Sequence, residues 1–133
     1  MRGAAAAAGV VSAAILFAPG CSGPVEKAAT PADPVRRASY RSLVARDFLF
    51  GCSGGVARAE TRQQVSRMGE LYRFAYEKGA GQSLWLAEND WAGLKPHDTA
   101  RPCAAGEGPY RAALAVFAAR LDELAVGIRD LAS

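Results

Sequence analysis

Pro109 to Leu131 reads PYRAALAVFAARLDELAVGIRDL, and this C-terminal stretch decides the fold class. Its large apolar side chains recur in alternating steps of four and three residues, at Tyr110, Leu114, Phe117, Leu121, Leu124, Ile128 and Leu131. This spacing lines one side of an α-helix, and a proline at the first position favours a helix start. The pattern predicts a long helix whose apolar face lies in the core. The alternative is a seam that joins two copies of the chain in a structural oligomer.

Two helices are predicted upstream of a central loop. The first should run from Pro34 to Phe50. The second should begin between Gly55 and Thr61, where Thr61 and Gln64 have the spacing of a capping box, and should reach Lys78. Their apolar stripes are Tyr40, Leu43, Val44 and Phe48 in the first helix, and Val65, Met68, Leu71, Tyr72, Ala75 and Tyr76 in the second.

A third, shorter helix follows, with Ser83 as its N-cap and Lys95-Pro96 as its end. Its apolar positions are Leu84, Ala87, Trp91 and Leu94. No segment alternates apolar and polar residues over the length of a strand. The sequence therefore predicts an all-α fold, a small up-and-down bundle of three long helices plus one short helix over residues 34–133.

The whole chain has 133 residues, of which 50% are hydrophobic and 22% charged, so it has room for one folded domain. Its 16 basic and 13 acidic side chains give a mixed surface rather than one suited to nucleic acid, and we predict no nucleic-acid partner. No phosphate-binding glycine loop follows a strand, and no cofactor is predicted.

Residues 1–20 have the order of a signal segment. Arg2 supplies a positive start, Ala4 to Phe17 is uncharged and apolar, and small turn-forming residues follow. The apolar run is shorter than the roughly 20 residues that a membrane-spanning helix needs. These features predict export of the chain.

The end of that segment, Ala18-Pro19-Gly20-Cys21, resembles the lipobox of bacterial lipoproteins. The resemblance implies that Cys21 is lipidated and becomes the first mature residue, so that the protein is anchored by lipid to a membrane of the cell envelope. Ala18 stands where the lipobox usually has leucine, and an ordinary signal peptidase would also cut before Cys21. Ser22 resembles the residue that directs some lipoproteins to the outer membrane, although the choice of membrane stays open.

Residues 21–33 contain Pro24 and Pro31, with Pro34 directly after them, and few large apolar side chains, which predicts a flexible tether ending at a helix cap, Asp33. The chain has 3 cysteines, and an odd number in an exported protein needs an explanation. Lipid on Cys21 leaves Cys52 and Cys103, which lie in the first and third interhelical connections. These two connections share one end of an up-and-down bundle, so we predict a disulfide between the two cysteines.

The helical domain contains residues suited to three kinds of chemistry. Cys52 or Cys103 with His97 could form an activated nucleophile, and the same residues with Asp98 could ligate zinc, but neither arrangement has a recognisable motif, and we predict no catalytic residue and no metal site. Trp85-Leu86-Ala87-Glu88-Asn89-Asp90-Trp91 suggests a glycan-binding or glycan-hydrolysing envelope enzyme that uses Glu88 or Asp90. Two residues apart on a helix, these carboxylates diverge by about 200° and cannot flank one bond.

The preferred hypothesis is a non-enzymatic binding role toward another envelope protein or a cell-wall glycan, with the oligomeric state left open. Phe74 and Trp85 lie beside the apolar stripes of their helices and are the predicted contact residues. Arg36, Arg37, Arg41 and Arg46 share the outer face of the first helix; they are expected to be solvated, with anionic headgroups or glycan phosphates as the alternative partners.

Overall fold

The computed structural model describes residues 33–98 and 103–131, with the backbone alone described at 95–98. Over those ranges the chain forms four helices and no strand: α1 Pro34–Phe50, α2 Ala59–Glu77, α3 Gly81–Asp98 and α4 Glu107–Leu131. The predicted all-α bundle is confirmed. The predicted signal segment, Cys21 and the tether up to residue 32 lie outside the described residues.

The four helices alternate in direction, as predicted for an up-and-down bundle. Contacts between ends fix these directions: Asp33 with Ser83, Val35 with Gly127, Cys52 with Cys103, and Arg58 with Glu107. Thus α1 and α3 begin at the end of the bundle where α2 and α4 finish. We call this the tether end, because the predicted tether precedes the start of α1, and we call the opposite end the disulfide end.

Helix α1 is the central element of the bundle. It packs chiefly against α4 and α3, whereas α2 packs on α4 and more lightly on α3. Its buried residues are spread around the helix and include four small ones: Val35, Ala38, Ser39, Tyr40, Ser42, Leu43, Ala45 and Leu49. The predicted stripe is wrong at its C-terminal end, since Phe48 is 38% exposed while Leu49 is fully buried. A helix covered by neighbours on two sides does not show the single stripe of a surface helix.

Helix α4 buries its apolar seam within the bundle. Its fully or almost fully buried positions are Tyr110, Ala113, Phe117, Leu121, Leu124, Gly127 and Ile128. Phe117 and Leu121 pack with residues of α1 near the disulfide end, and Leu124 and Ile128 do so near the tether end. Leu131, the last residue of the predicted seam, is exposed. The seam is therefore core, and the alternative of an oligomer zipped along it is contradicted.

Two predicted helix caps have other roles. Thr61 lies inside α2, where its hydroxyl is 3.0 Å from the Tyr110 hydroxyl in the core. Ser83 lies inside α3 and donates a hydrogen bond of 2.8 Å to Asp33. Asp33 does cap α1 as predicted, because its other carboxylate oxygen accepts from the Arg36 amide. A hydroxyl near a helix start can form a hydrogen bond with its own backbone or with a residue outside the helix. In Thr61 and Ser83 the tertiary packing favours the partner outside the helix.

Helix α3 extends to Asp98 and is longer than predicted, with residue 96 inside its last turn. A proline there lacks the N–H that would bond the carbonyl four residues earlier, which weakens the last turn, and the helix ends two residues later. No helix in the described ranges combines the length and the apolar character that a bilayer span requires.

The Cys52–Cys103 disulfide is confirmed, with the two Cα atoms 4.8 Å apart. The bond joins the connection after α1 to the chain just before α4 and closes a loop of 51 residues.

We expect the oxidised domain to have a free energy of unfolding about 4 kcal/mol larger than the reduced domain, because the closed loop restricts the unfolded chain. Urea unfolding with and without a reductant measures this difference. A double variant, Cys52→Ala with Cys103→Ala, should behave like the reduced protein and should not respond to reductant. Equal stability of the oxidised and reduced proteins would contradict the expectation.

Candidate functional site

Cys52 and Cys103, the candidates for nucleophilic and zinc chemistry, lie at the disulfide end. In the oxidised domain each sulfur of Cys52 and Cys103 is bonded to the other at 2.08 Å, so neither is a thiolate. The side chain of His97 lies outside the described residues. Among those described, no three histidine, cysteine or acidic side chains form a group that could hold a metal ion. The disulfide thus gives these two cysteines a structural role.

Beside the disulfide lies a cluster of charged side chains that joins the first turns of α2 and α4. Glu107 accepts from Arg58 through both carboxylate oxygens, at 2.9 and 3.0 Å, and from Arg111 at 2.9 Å. Arg111 also reaches Glu60 at 3.0 Å, and the Arg58 guanidinium lies 4.0 Å from the centre of the Tyr110 ring. The hydrogen bonds from Arg58 and Arg111 lower the pKa of Glu107 to about 2. The cluster is exposed, and its geometry indicates that it holds helix ends together.

Glu107 should make the stability of the domain depend on acid. Its pKa in the folded protein is about 2, below the ordinary 4.5, so its contribution is complete above about pH 4.5 and is lost as the pH falls toward 2. We expect Glu107→Gln to lose less stability than the wild type as the pH falls from about 4.5 to 2. Urea unfolding at a series of pH values should show this as a smaller fall of the unfolding midpoint. High salt should reduce the difference because the cluster is solvent-exposed. Identical acid profiles for the two proteins would contradict this assignment.

The two carboxylates proposed for glycan chemistry have different environments. Asp90 is bound by Arg36 through two hydrogen bonds of 2.7 and 2.8 Å, and its side chain is only 11% exposed. The hydrogen bonds that Arg36 donates to Asp90 raise the pKa of Arg36. Glu88 is exposed. The structure therefore uses Asp90 to fasten α3 to α1, and of the two carboxylates only Glu88 is exposed.

The arginines of α1 also contact other side chains of the bundle. Besides the Arg36 pair, Arg41 lies 3.4 Å from Glu123 and Arg46 lies 3.4 Å from Asp47. The Arg46 guanidinium is also 5.5 Å from the centre of the Trp91 ring. These three side chains contact neighbouring groups of the bundle, so the expected solvated face of α1 is largely an interhelical one.

We expect Asp90→Asn to lower the free energy of unfolding by about 1–3 kcal/mol, because it weakens two charged hydrogen bonds at a partly buried site. Glu88→Gln, two residues away on the exposed surface, is the matched control and should change it by less than about 0.5 kcal/mol. Chemical denaturation of both variants makes the comparison. Equal effects of the two substitutions would show that the Arg36–Asp90 pair does not fasten the helices.

The predicted contact residues Phe74 and Trp85 are both exposed, at 39% and 59%. Between them in sequence lies Tyr76, which was predicted to be core but is 60% exposed. Its ring covers Gly81, where an added Cβ would lie 2.8 Å from ring atoms Cδ1 and Cε1. Trp85 is one helical turn after Gly81, so Tyr76 and Trp85 lie on the same side of the α2–α3 pair. Phe74 points to the other side of α2, since two residues rotate a helix by about 200°.

These aromatic residues belong to a wider group of apolar side chains around the tether end. Eight large hydrophobic side chains are exposed in the described residues. Five of them lie within about two turns of the tether end, namely Phe74, Tyr76, Trp85, Val126 and Leu131. The helical positions of Phe74 and Trp85 predicted that these two side chains lie off the core. Helical position does not reveal the exposure of Tyr76, Val126 and Leu131, because exposure at a bundle end depends on where each helix stops relative to its neighbours.

A shallow depression of about 450 Å³ lies on α2, lined by Gln63, Gln64, Ser66, Arg67 and Glu70. Its lining is polar and comes from one helix, and Arg67 is engaged by Asp122 of α4 at 2.6 Å. A binding pocket ordinarily has an apolar lining with a few oriented polar groups, so this depression has the character of ordinary surface.

Comparison with protein-family models, with curated proteins and with solved structures finds no match to this chain. The features available for assigning a role are therefore those of the molecule itself. They are a disulfide at one end of the bundle, exposed aromatic side chains around the other, and a sequence before the first helix that resembles a lipoprotein signal.

Proposed function

We propose that this chain is an exported cell-envelope protein, anchored by lipid at Cys21, whose helical domain has a non-enzymatic binding role. The disulfide is the observation that carries the proposal. Disulfides form and persist mainly in oxidising compartments outside the cytosol, and the Cys52–Cys103 pair is well placed within a packed bundle. Export is also what the N-terminal sequence predicts.

The disulfide also isolates Cys21. Of the 3 cysteines in the chain, the bond uses Cys52 and Cys103 and leaves one thiol, located in the sequence that resembles a lipobox. An exposed free thiol in an oxidising compartment is prone to oxidation and intermolecular pairing. Lipid attachment to Cys21 would consume that thiol and anchor the domain in a single modification.

A binding role fits the way in which the domain uses its reactive groups. Asp90 is engaged by Arg36, and Cys52 and Cys103 are bonded to each other, so these candidates for chemistry stabilise the fold. The exposed aromatic residues have no comparable role in the core. Large aromatic side chains that remain exposed are typical of contact surfaces, because they offer apolar area at a small entropic cost.

Glycan binding is the second candidate. Trp85 and Glu88 are three residues apart on α3 and are both exposed, so an aromatic face and a carboxylate lie on neighbouring positions of one helix surface. Sugar rings stack on such aromatic faces, and carboxylates accept hydrogen bonds from sugar hydroxyls. Glycan hydrolysis would require a second carboxylate about 5–9.5 Å from Glu88, and Asp90 is directed to Arg36 instead.

Metabolic labelling with a fatty-acid analogue tests the anchor. We expect the wild-type protein to be labelled and Cys21→Ser to be unlabelled, because the thiol of residue 21 would carry the lipid. The matched control is the double variant Cys52→Ser with Cys103→Ser, which removes two cysteines but should keep the label. An unlabelled wild-type protein, or a labelled Cys21→Ser variant, would overturn the proposed lipid anchor.

A further inference from the structure

We propose that the tether end of the bundle rests on the lipid–water interface of the membrane that holds Cys21, with Trp85 and Tyr76 inserted among the headgroups. This inference rests on the proposed function and assigns a partner to its contact surface. It follows from the arrangement of the exposed apolar residues, from the point where the tether joins the bundle, and from the chemistry of the side chains found there.

The arrangement of the apolar residues suits a plane better than a groove. They come from three helices, with Phe74 and Tyr76 on α2, Trp85 on α3, and Val126 and Leu131 on α4. Phe74 and Tyr76 point to different sides of α2, so a single peptide or helix docked along one face would leave one of them uncovered. A flat surface that meets the end of the bundle can contact all three helices.

The tether joins the bundle at this same end. Asp33 caps α1 there, and its carboxylate also accepts a hydrogen bond from Ser83, two residues before Trp85. The 12 residues between Cys21 and the start of α1 can span at most about 40 Å when fully extended. Resting the disulfide end on the membrane instead would require the tether to run back along α4, which is about 37 Å long at 1.5 Å per residue. The chain therefore brings the tether end to the surface most easily.

The side chains have the chemistry of a membrane interface. Tryptophan and tyrosine are enriched at the headgroup level of bilayers, where an apolar ring and a polar tip each find a suitable environment. The Tyr76 ring packs against Gly81, and the Lys78 ammonium group lies 5.2 Å from the centre of the Phe74 ring. The basic residues Arg73 and Lys78 accompany Glu77 at the end of α2, a mixture that the hydrated headgroup layer accommodates.

The experiment attaches the mature chain, residues 21–133, to vesicles through Cys21. The disulfide leaves Cys21 as the one free thiol, so a maleimide-bearing lipid can couple there whether or not cells add lipid to this residue. The vesicles contain phosphatidylethanolamine and phosphatidylglycerol with brominated acyl chains, which quench tryptophan inserted into the interface. Circular dichroism of each variant before coupling verifies that it is folded.

We expect brominated vesicles to reduce the tryptophan emission of the wild-type chain by roughly half, because Trp85 is one of 2 tryptophans and should lie within the interfacial layer. Trp85→Phe leaves only Trp91, whose indole donates a hydrogen bond of 2.7 Å to Asp47 between the helices, and should show little quenching. Gly81→Ala should reduce the quenching in the wild-type background, because the added methyl group displaces the Tyr76 ring that is proposed to insert together with Trp85.

A tryptophan at the opposite end is the matched control. Val56 is 57% exposed in the connection after α1, near Cys52, so Val56→Trp combined with Trp85→Phe places the reporter at the disulfide end. This variant should stay unquenched. Equal quenching from both ends, or none at Trp85, would overturn the membrane contact while leaving the labelling result at Cys21 intact. A third outcome would assign the surface to a different partner. In that outcome Trp85 of the wild-type chain is not quenched, and Trp85→Ala abolishes binding of a captured protein or glycan.

Discussion

The enclosure of α1 is the constraint on which the rest of the bundle depends. This helix begins at Pro34, after the Asp33 cap, and is covered by α3 on one side and α4 on the other, so its small residues Ala38, Ser42 and Ala45 are buried together with its large ones. Small side chains let neighbouring helices approach closely and gain dispersion contacts along their length. Helices α3 and α4 take their positions from this contact, and α2 covers the remaining side.

Polar side chains in the interior fix how the helices are set against one another. The Ser39 and Tyr72 hydroxyls are hydrogen-bonded between α1 and α2, and Thr61 pairs with Tyr110 between α2 and α4. Burial is the main cause that raises the pKa of Tyr72 to about 12, so the phenol stays protonated over the physiological range. Sliding either helix by one turn would separate these partners and leave buried hydroxyls unsatisfied, which is costly in a low dielectric. These pairs therefore select one arrangement among those that apolar packing alone would permit.

The two ends of the bundle are stabilised in different ways. The disulfide end combines a covalent bond with the exposed cluster around Glu107, whereas the tether end is held by an apolar cluster that includes Val35, Leu84 and Ile128. The covalent bond and the Glu107 cluster thus lie at the end with fewer exposed aromatic side chains, since among the described residues Phe48 is exposed there and Phe74, Tyr76 and Trp85 are exposed near the tether end. Trp85 and Tyr76 remain largely exposed near the tether end, which supports the proposal that this end meets a partner.

The sequence by itself determined the number and order of the helices, the core seam of α4 and the Cys52–Cys103 pairing, because these follow from local periodicity, from caps such as Asp33, and from the alternation of helix direction. It also placed Phe74 and Trp85 off the core, since each lies beside its helix's apolar stripe. Only the tertiary structure decided that Asp90 binds Arg36, that Thr61 and Ser83 serve neighbouring helices, and that Tyr76 leaves the core to cover Gly81. The physical reason is that each of these outcomes depends on a partner from another helix, and the spacing of residues along one helix contains no information about which side chain will stand opposite.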